Sequence, residues 1–201
     1  MISKINNIIL ISTVLISIVS CKKDSACFHS YGNETSYFIE TGSFNEIEVS
    51  GDYNVNLIQS DEYKLEVVGG ENNAKFIKTI NENNILFITN ENKCNWLRNY
   101  DKEIQLNVYF KDIKVISSVG ESYVYSDDSL RIDTLFIHIT GVGDVNLKVD
   151  SVKFLWTDLY VIGDLELRGT AANFHSKIAS FGNLKAENLR ADSMYIESSH
   201  E

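Results

Sequence analysis

Apolar and polar residues alternate with a period of two along most of this chain, and no segment carries a convincing 3.6-residue stripe. Ile47-Glu48-Val49, Tyr53-Asn54-Val55-Asn56-Leu57, Tyr63-Lys64-Leu65-Glu66-Val67 and Ile104-Gln105-Leu106-Asn107-Val108-Tyr109-Phe110 all show it. Successive side chains of a strand point to opposite faces, so each such segment predicts a strand with one buried face. Clusters of Gly, Asn, Asp and Ser lie between them and supply turn chemistry. Only residues 73–80 predict a short helix.

The second half of the chain repeats itself. Gly143-Asp144-Val145-Asn146-Leu147, Gly163-Asp164-Leu165-Glu166-Leu167 and Gly182-Asn183-Leu184-Lys185-Ala186 share one pattern, at spacings of 20 and 19 residues. An earlier copy begins at Gly120, and each later copy is followed by a second strand. Two short strands and two turns per repeat predict an all-β, right-handed parallel β-helix (a β-solenoid) with coils of about 20 residues. A β-sandwich of evenly spaced hairpins is the alternative. In the solenoid, Val145, Leu147, Leu165, Leu167, Leu184 and Ala186 stack inside as one column. Ile137, Phe154, Phe174 and Met194 stack as another, and Asp144, Asp164 and Asn183 line one corner.

The first twenty residues read as an address. Lys4 precedes the apolar run Ile8 to Val19, which is of signal-peptide length. The run ends in Ile18-Val19-Ser20-Cys21, which resembles the lipobox of bacterial lipoproteins. There the Cys thiolate takes a diacylglyceryl group and a peptidase cuts before it. Acyl chains bind at about 0.8 kcal/mol per buried methylene, so Cys21 is the expected lipidation site and the expected partner is the membrane, through that anchor. Asp does not follow Cys21 directly, which favours the outer membrane, facing either periplasm or medium. Two cysteines then remain, Cys27 and Cys94, and an even count in an oxidising compartment predicts a disulfide between them.

Charge narrows the partners. A net charge of -10 argues against nucleic acid, whose phosphates need basic patches. No Cys/His cluster has zinc spacing, and neither a metal nor a cofactor is expected.

The lipobox, the Cys soon after it, the segment Lys93-Cys94-Asn95-Trp96 and the Gly-Asp/Asn repeats together resemble the putative auto-transporter adhesin, head GIN domain family. That resemblance implies a parallel β-helix without catalytic residues, since the adhesin label is itself a structural analogy. It divides the chain into a lipoprotein signal peptide (1–20), an anchor and linker (21–43) and a head GIN-type β-solenoid domain (44–201).

Other candidates have plainer readings. His138 and His175 fall on an outer face, where solvated surface His is the better reading than a metal pair. Asp144 and Asp164 recur at turn positions, which is structural chemistry more often than catalysis. Tyr123, Tyr125, Trp156, Tyr160, Tyr195 and Trp96 could build a sugar-stacking ladder, although half of any alternating set points inward. Asp-Ser/Thr-apolar triplets mark Ser129, Thr134, Ser151 and Ser193 as candidate O-glycosylation sites and equally as turn residues. The expected function is a non-catalytic cell-envelope lipoprotein presenting a β-solenoid surface for binding or adhesion, its partner a glycan or an envelope protein. The alternative is a carbohydrate-active lyase or hydrolase on a β-helix scaffold.

Overall fold

The computed structural model describes residues 31–92, 103–179 and 181–199. The expected signal peptide (1–20), Cys21, Cys27, Cys94 and Trp96 lie outside the described residues, so neither the expected lipid anchor nor the expected disulfide is tested by the fold.

The period-two segments become strands: β1 (Glu34–Glu40), β2 (Glu46–Ser50), β3 (Asn54–Gln59), β4 (Lys64–Gly70), β5 (Ile77–Glu82), β6 (Ile85–Asn90), β7 (Gln105–Phe110) and β8 (Val115–Ser118). They continue as β9 (Tyr123–Tyr125), β10 (Thr134–Ile139), β11 (Val145–Leu159), β12 (Leu165–Ile178) and β13 (Leu184–Ser198). One helical turn, α1 (Glu71–Ala74), precedes β5, and of the expected helix at 73–80 residues 75–76 are turn and 77–80 are strand. β1 falls in the stretch read from sequence as linker, and it pairs with β4.

Eleven strands join in the order β1-β4-β7-β3-β9-β11-β10-β8-β2-β6-β5, with β12 and β13 added beside β11. β11 turns the sheet. Val145 and Asn146 at its start pair with β9, and Phe154 to Leu159 at its end pair with β10. The sheet therefore curls round a single core. Val55, Leu57, Leu106, Val108, Val145 and Leu165 on one wall are buried with Ile47, Val49, Ile88, Ile116, Leu135 and Leu155 on the other. Each such side chain contributes about 1.5–3 kcal/mol by leaving water.

This corrects the expected right-handed parallel β-helix of uniform coils. The sheet is a curled, mixed half-barrel, because β1–β4, β4–β7 and β5–β6 pair antiparallel. A two-residue turn imposes one of these pairings. Asn83 and Asn84 between β5 and β6 both have positive φ, at 54° and 64°, the backbone that joins a tight hairpin. The sandwich alternative fails as well, since the Gly-Asp strands pair in parallel within the one sheet.

Within the second half, Val145, Leu165 and Leu184 are in register, as are Leu147 and Leu167. Two members of the other expected column were misassigned. Leu155, not Phe154, stands between Leu135 and Phe174, while Ile137 is in register with Thr157 and Ser176. Phe154 faces outward and is 59% exposed. The alternation slips twice at the corner of β11: Val152 is buried after Ser151, whose φ is 60°, and Lys153 and Phe154 are then both exposed, so Leu155 returns to the parity of Val145, Leu147 and Val149.

Candidate functional site

The outer face of the second wall carries three rows of side chains. Strand register aligns Phe136 on β10 with Trp156 on β11, Trp156 with His175 on β12, and His175 with Tyr195 on β13. Adjacent strands lie about 4.8 Å apart, close enough for rings in one row to meet. Trp156 and His175 stack with centroids 3.7 Å apart and planes 19° apart. His175 meets Tyr195 edge to face at 4.7 Å.

A polar row runs beside the rings: His138, Asp158, Lys177 and Glu197, again in register. Asp158 joins the two rows. Its Oδ1 accepts a 2.9 Å hydrogen bond from Trp156 Nε1, and its Oδ2 lies 3.1 Å from His138 Nδ1. These contacts fix the Trp156 rotamer, so the ladder is held in place before any partner arrives. Thr134, Phe154, Asn173 and Ser193 form the row on the other side. A mainly apolar hollow of about 400 Å³ opens among Phe136, Phe154, Trp156, His175 and Tyr195. Phe154 and Tyr195 remain more than half exposed. An aromatic centre bordered by charged groups is the make-up of an interaction surface.

The sequence candidates separate on this map. Trp156 and Tyr195 belong to the ladder, whereas Tyr160 lies exposed beyond the end of β11 and Tyr123 and Tyr125 stack on each other on β9, 5.2 Å apart. His138 and His175 share the outer face but sit in different rows, one at Asp158 and one against Trp156. Phe136 and Phe154 went unrecognised. The parity rule places Phe136 outside once Ile137 is taken as buried, and Phe154 outside once the count runs from Val145, Leu147 and Val149 rather than from Val152.

The repeated turn residues have a structural task. Asp144 Oδ1 accepts from the Asp164 backbone N–H at 2.8 Å, and Asp164 Oδ1 accepts from the Asn183 N–H at 2.8 Å. Lys185 Nζ lies 2.7 Å from Asp164 Oδ2. The Lys185 contact, with the Asn183 N–H, holds the Asp164 carboxyl below its ordinary range. Each carboxylate thus caps the backbone of the next repeat. Of the glycosylation candidates, Ser129, Ser151 and Ser193 are exposed and Thr134 is half-buried. Ser151 Oγ donates to Asp150 Oδ1 at 2.8 Å, which is turn chemistry. Thr134 and Ser193 line the same hollow as Trp156.

Residues 43–199 match the family model described as putative auto-transporter adhesin, head GIN domain. No curated protein matches the chain. Among solved structures, a putative adhesin from Bacteroides fragilis superposes with a TM-score of 0.71 at 25% identity, covering 83% of this chain and 77% of that one. A putative lipid binding protein from Parabacteroides distasonis gives 0.63 at 20% identity, over 83% and 79%. A putative adhesin from Parabacteroides merdae gives 0.59 at 15%, over 84% and 79%. The last two are similar in fold alone.

Proposed function

The chain belongs to the putative auto-transporter adhesin, head GIN domain family, and from that premise we propose that it is a non-catalytic cell-envelope lipoprotein that binds its partner through the aromatic ladder. The observation that carries this reading is the in-register row Phe136, Trp156, His175 and Tyr195, open to solvent on a rigid sheet and bordered by the charged row. The adhesin name of the Bacteroides fragilis neighbour supports an adhesive role, and the lipobox supports anchoring at Cys21 in the outer membrane. A Cys27–Cys94 disulfide would tie the anchor segment to the domain. The partner is a glycan or an envelope protein. A sugar stacks on a ring face, and Trp156 and His175 spend one face each on the other, so Phe154 and Tyr195 offer the open faces. Glycosylation at Thr134 or Ser193 would cover this surface, while Ser129 and Ser151 could be modified without closing it.

Glycan-array and envelope-fraction pulldown experiments with the wild-type chain test the proposal. Binding should fall steeply in Trp156→Ala and Tyr195→Ala and persist in Lys78→Ala, which alters an exposed residue of β5. Binding that survives both ladder substitutions, or no binding in either screen, overturns it.

A further inference from the structure

β13 is the longest exposed backbone edge of the second half. Among the described residues it pairs with β12 alone, over Leu184–Ser198. The edge is also the open end of the core. Met194 is in register with the buried Phe174, and Ile196 with the buried Ser176, yet they are 47% and 48% exposed. Edge strands with unpaired N–H and C=O groups are usually blocked by Pro, by bulges or by a run of like charge. The chain has no Pro at all, and the irregularity in the β12–β13 register, where Ala186 and Glu187 stand against Leu167 alone, lies near one end of the strand.

The charges on β13 alternate in sign instead: Lys185, Glu187, Arg190 and Asp192, with Glu197 beyond. Laid antiparallel against itself, the strand is complementary. The symmetric register that overlaps Leu184–Ser198 in full places Ala191 on the two-fold axis. Arg190 then stands opposite Asp192 of the second copy, and Lys185 opposite its Glu197. Ala186, on the core side, stands opposite Ile196, and no like charges meet. A two-fold axis makes each pairing occur twice, and directly opposed residues in antiparallel strands share a face. Lys185 already touches Asp164 and would serve both carboxylates.

We propose that β13 is a homodimerisation edge, pairing antiparallel with β13 of a second copy about a two-fold axis at Ala191. The two half-barrels would then share one continuous sheet, with Ile196 covered by Ala186 of the second copy. The ladder face lies perpendicular to this edge and stays open over β10 to β12.

Site-directed cross-linking of the full chain in cell envelopes tests this. A residue on the axis meets its own copy, so Ala191→Cys should give a reducible dimer on a non-reducing gel, and Lys78→Cys should not. Adding Arg190→Asp to Ala191→Cys puts like charges opposite each other and should reduce the dimer several-fold. Adding Asp192→Arg as well restores the pairing and should restore the dimer, which a merely misfolded variant would not do. Absence of the Ala191→Cys dimer, failure of the charge swap to rescue it, or a series of higher oligomers would overturn the two-fold arrangement.

Discussion

Gly169 offers the sharpest test of how closely the repeats stack. It lies in the middle of β12 with φ of +112°, opposite Val149 at the corner of β11. A Cβ added there would sit 1.8 Å from the Val149 carbonyl oxygen, where real contacts stay beyond 3.0 Å. The strands must therefore part by more than about 1 Å at that point, and Val149 is 1% exposed with no room to retreat. The unfavourable φ costs about 1–3 kcal/mol. Losing the one or two ladder hydrogen bonds nearest the corner adds about 1 kcal/mol each. Gly169→Ala should thus destabilise by about 2–5 kcal/mol, a large share of the roughly 5–15 kcal/mol of an ordinary domain. Gly42 is the control: its φ is +67°, but an added Cβ would meet only Asn81 Nδ2, at 3.6 Å. Gly42→Ala should cost about 1–2 kcal/mol from backbone strain alone. Equilibrium urea unfolding followed by circular dichroism measures both, and unchanged m-values would license the comparison. If the two variants agree within about 0.5 kcal/mol, the close approach of β12 to Val149 is wrong.

Thr157 and Ser176 are fully buried and joined by a 2.8 Å hydrogen bond between their hydroxyls. Thr157→Val should cost about 1–3 kcal/mol by stranding Ser176 Oγ, and adding Ser176→Ala should recover part of it in a double-mutant cycle. Asp164 is held below its ordinary range, by Lys185 first and then the Asn183 N–H, so its contribution is present above the unfolded value of about 4 and is lost as pH falls through the folded one. Acid titration of unfolding free energy should accordingly show a shallower decline in Asp164→Asn than in the wild-type chain. Mass spectrometry of detergent-extracted protein should find residues 1–20 absent and Cys21 acylated, and non-reducing peptide mapping should link Cys27 to Cys94; an intact Met1 or two free thiols would count against the respective assignment.

Much of this molecule was determined by its sequence. Strict alternation in Tyr53 to Leu57, Tyr63 to Val67 and Ile104 to Phe110 specifies strands and their buried faces, because a strand has no other way to segregate its apolar side chains. The recurrence of Gly-Asp at 20 and 19 residues set which residues align: Val145 with Leu165 and Leu184, and Asp144 beside Asp164 and Asn183. Pairing direction was not legible in the same way. The three antiparallel pairings of the first half follow from local turn backbones such as Asn83-Asn84 and from contacts as distant in sequence as β4 with β7, so a repeat seen in one half could not be extended to the whole. The ladder shows the same division. Trp156 and Tyr195 stood out as aromatic residues, but which of their neighbours joined them depended on face. Face past the corner is the same as before it: Leu155 keeps the parity of Val145, Leu147 and Val149, which leaves Phe154 on the surface, and only a count begun at Val152, turned inward after the positive φ of Ser151, puts Phe154 in the core. Periodicity counts residues along a regular strand. A corner can shift the count and shift it back, as it does around Val152 in β11, and only the tertiary structure that closes the corner decides where.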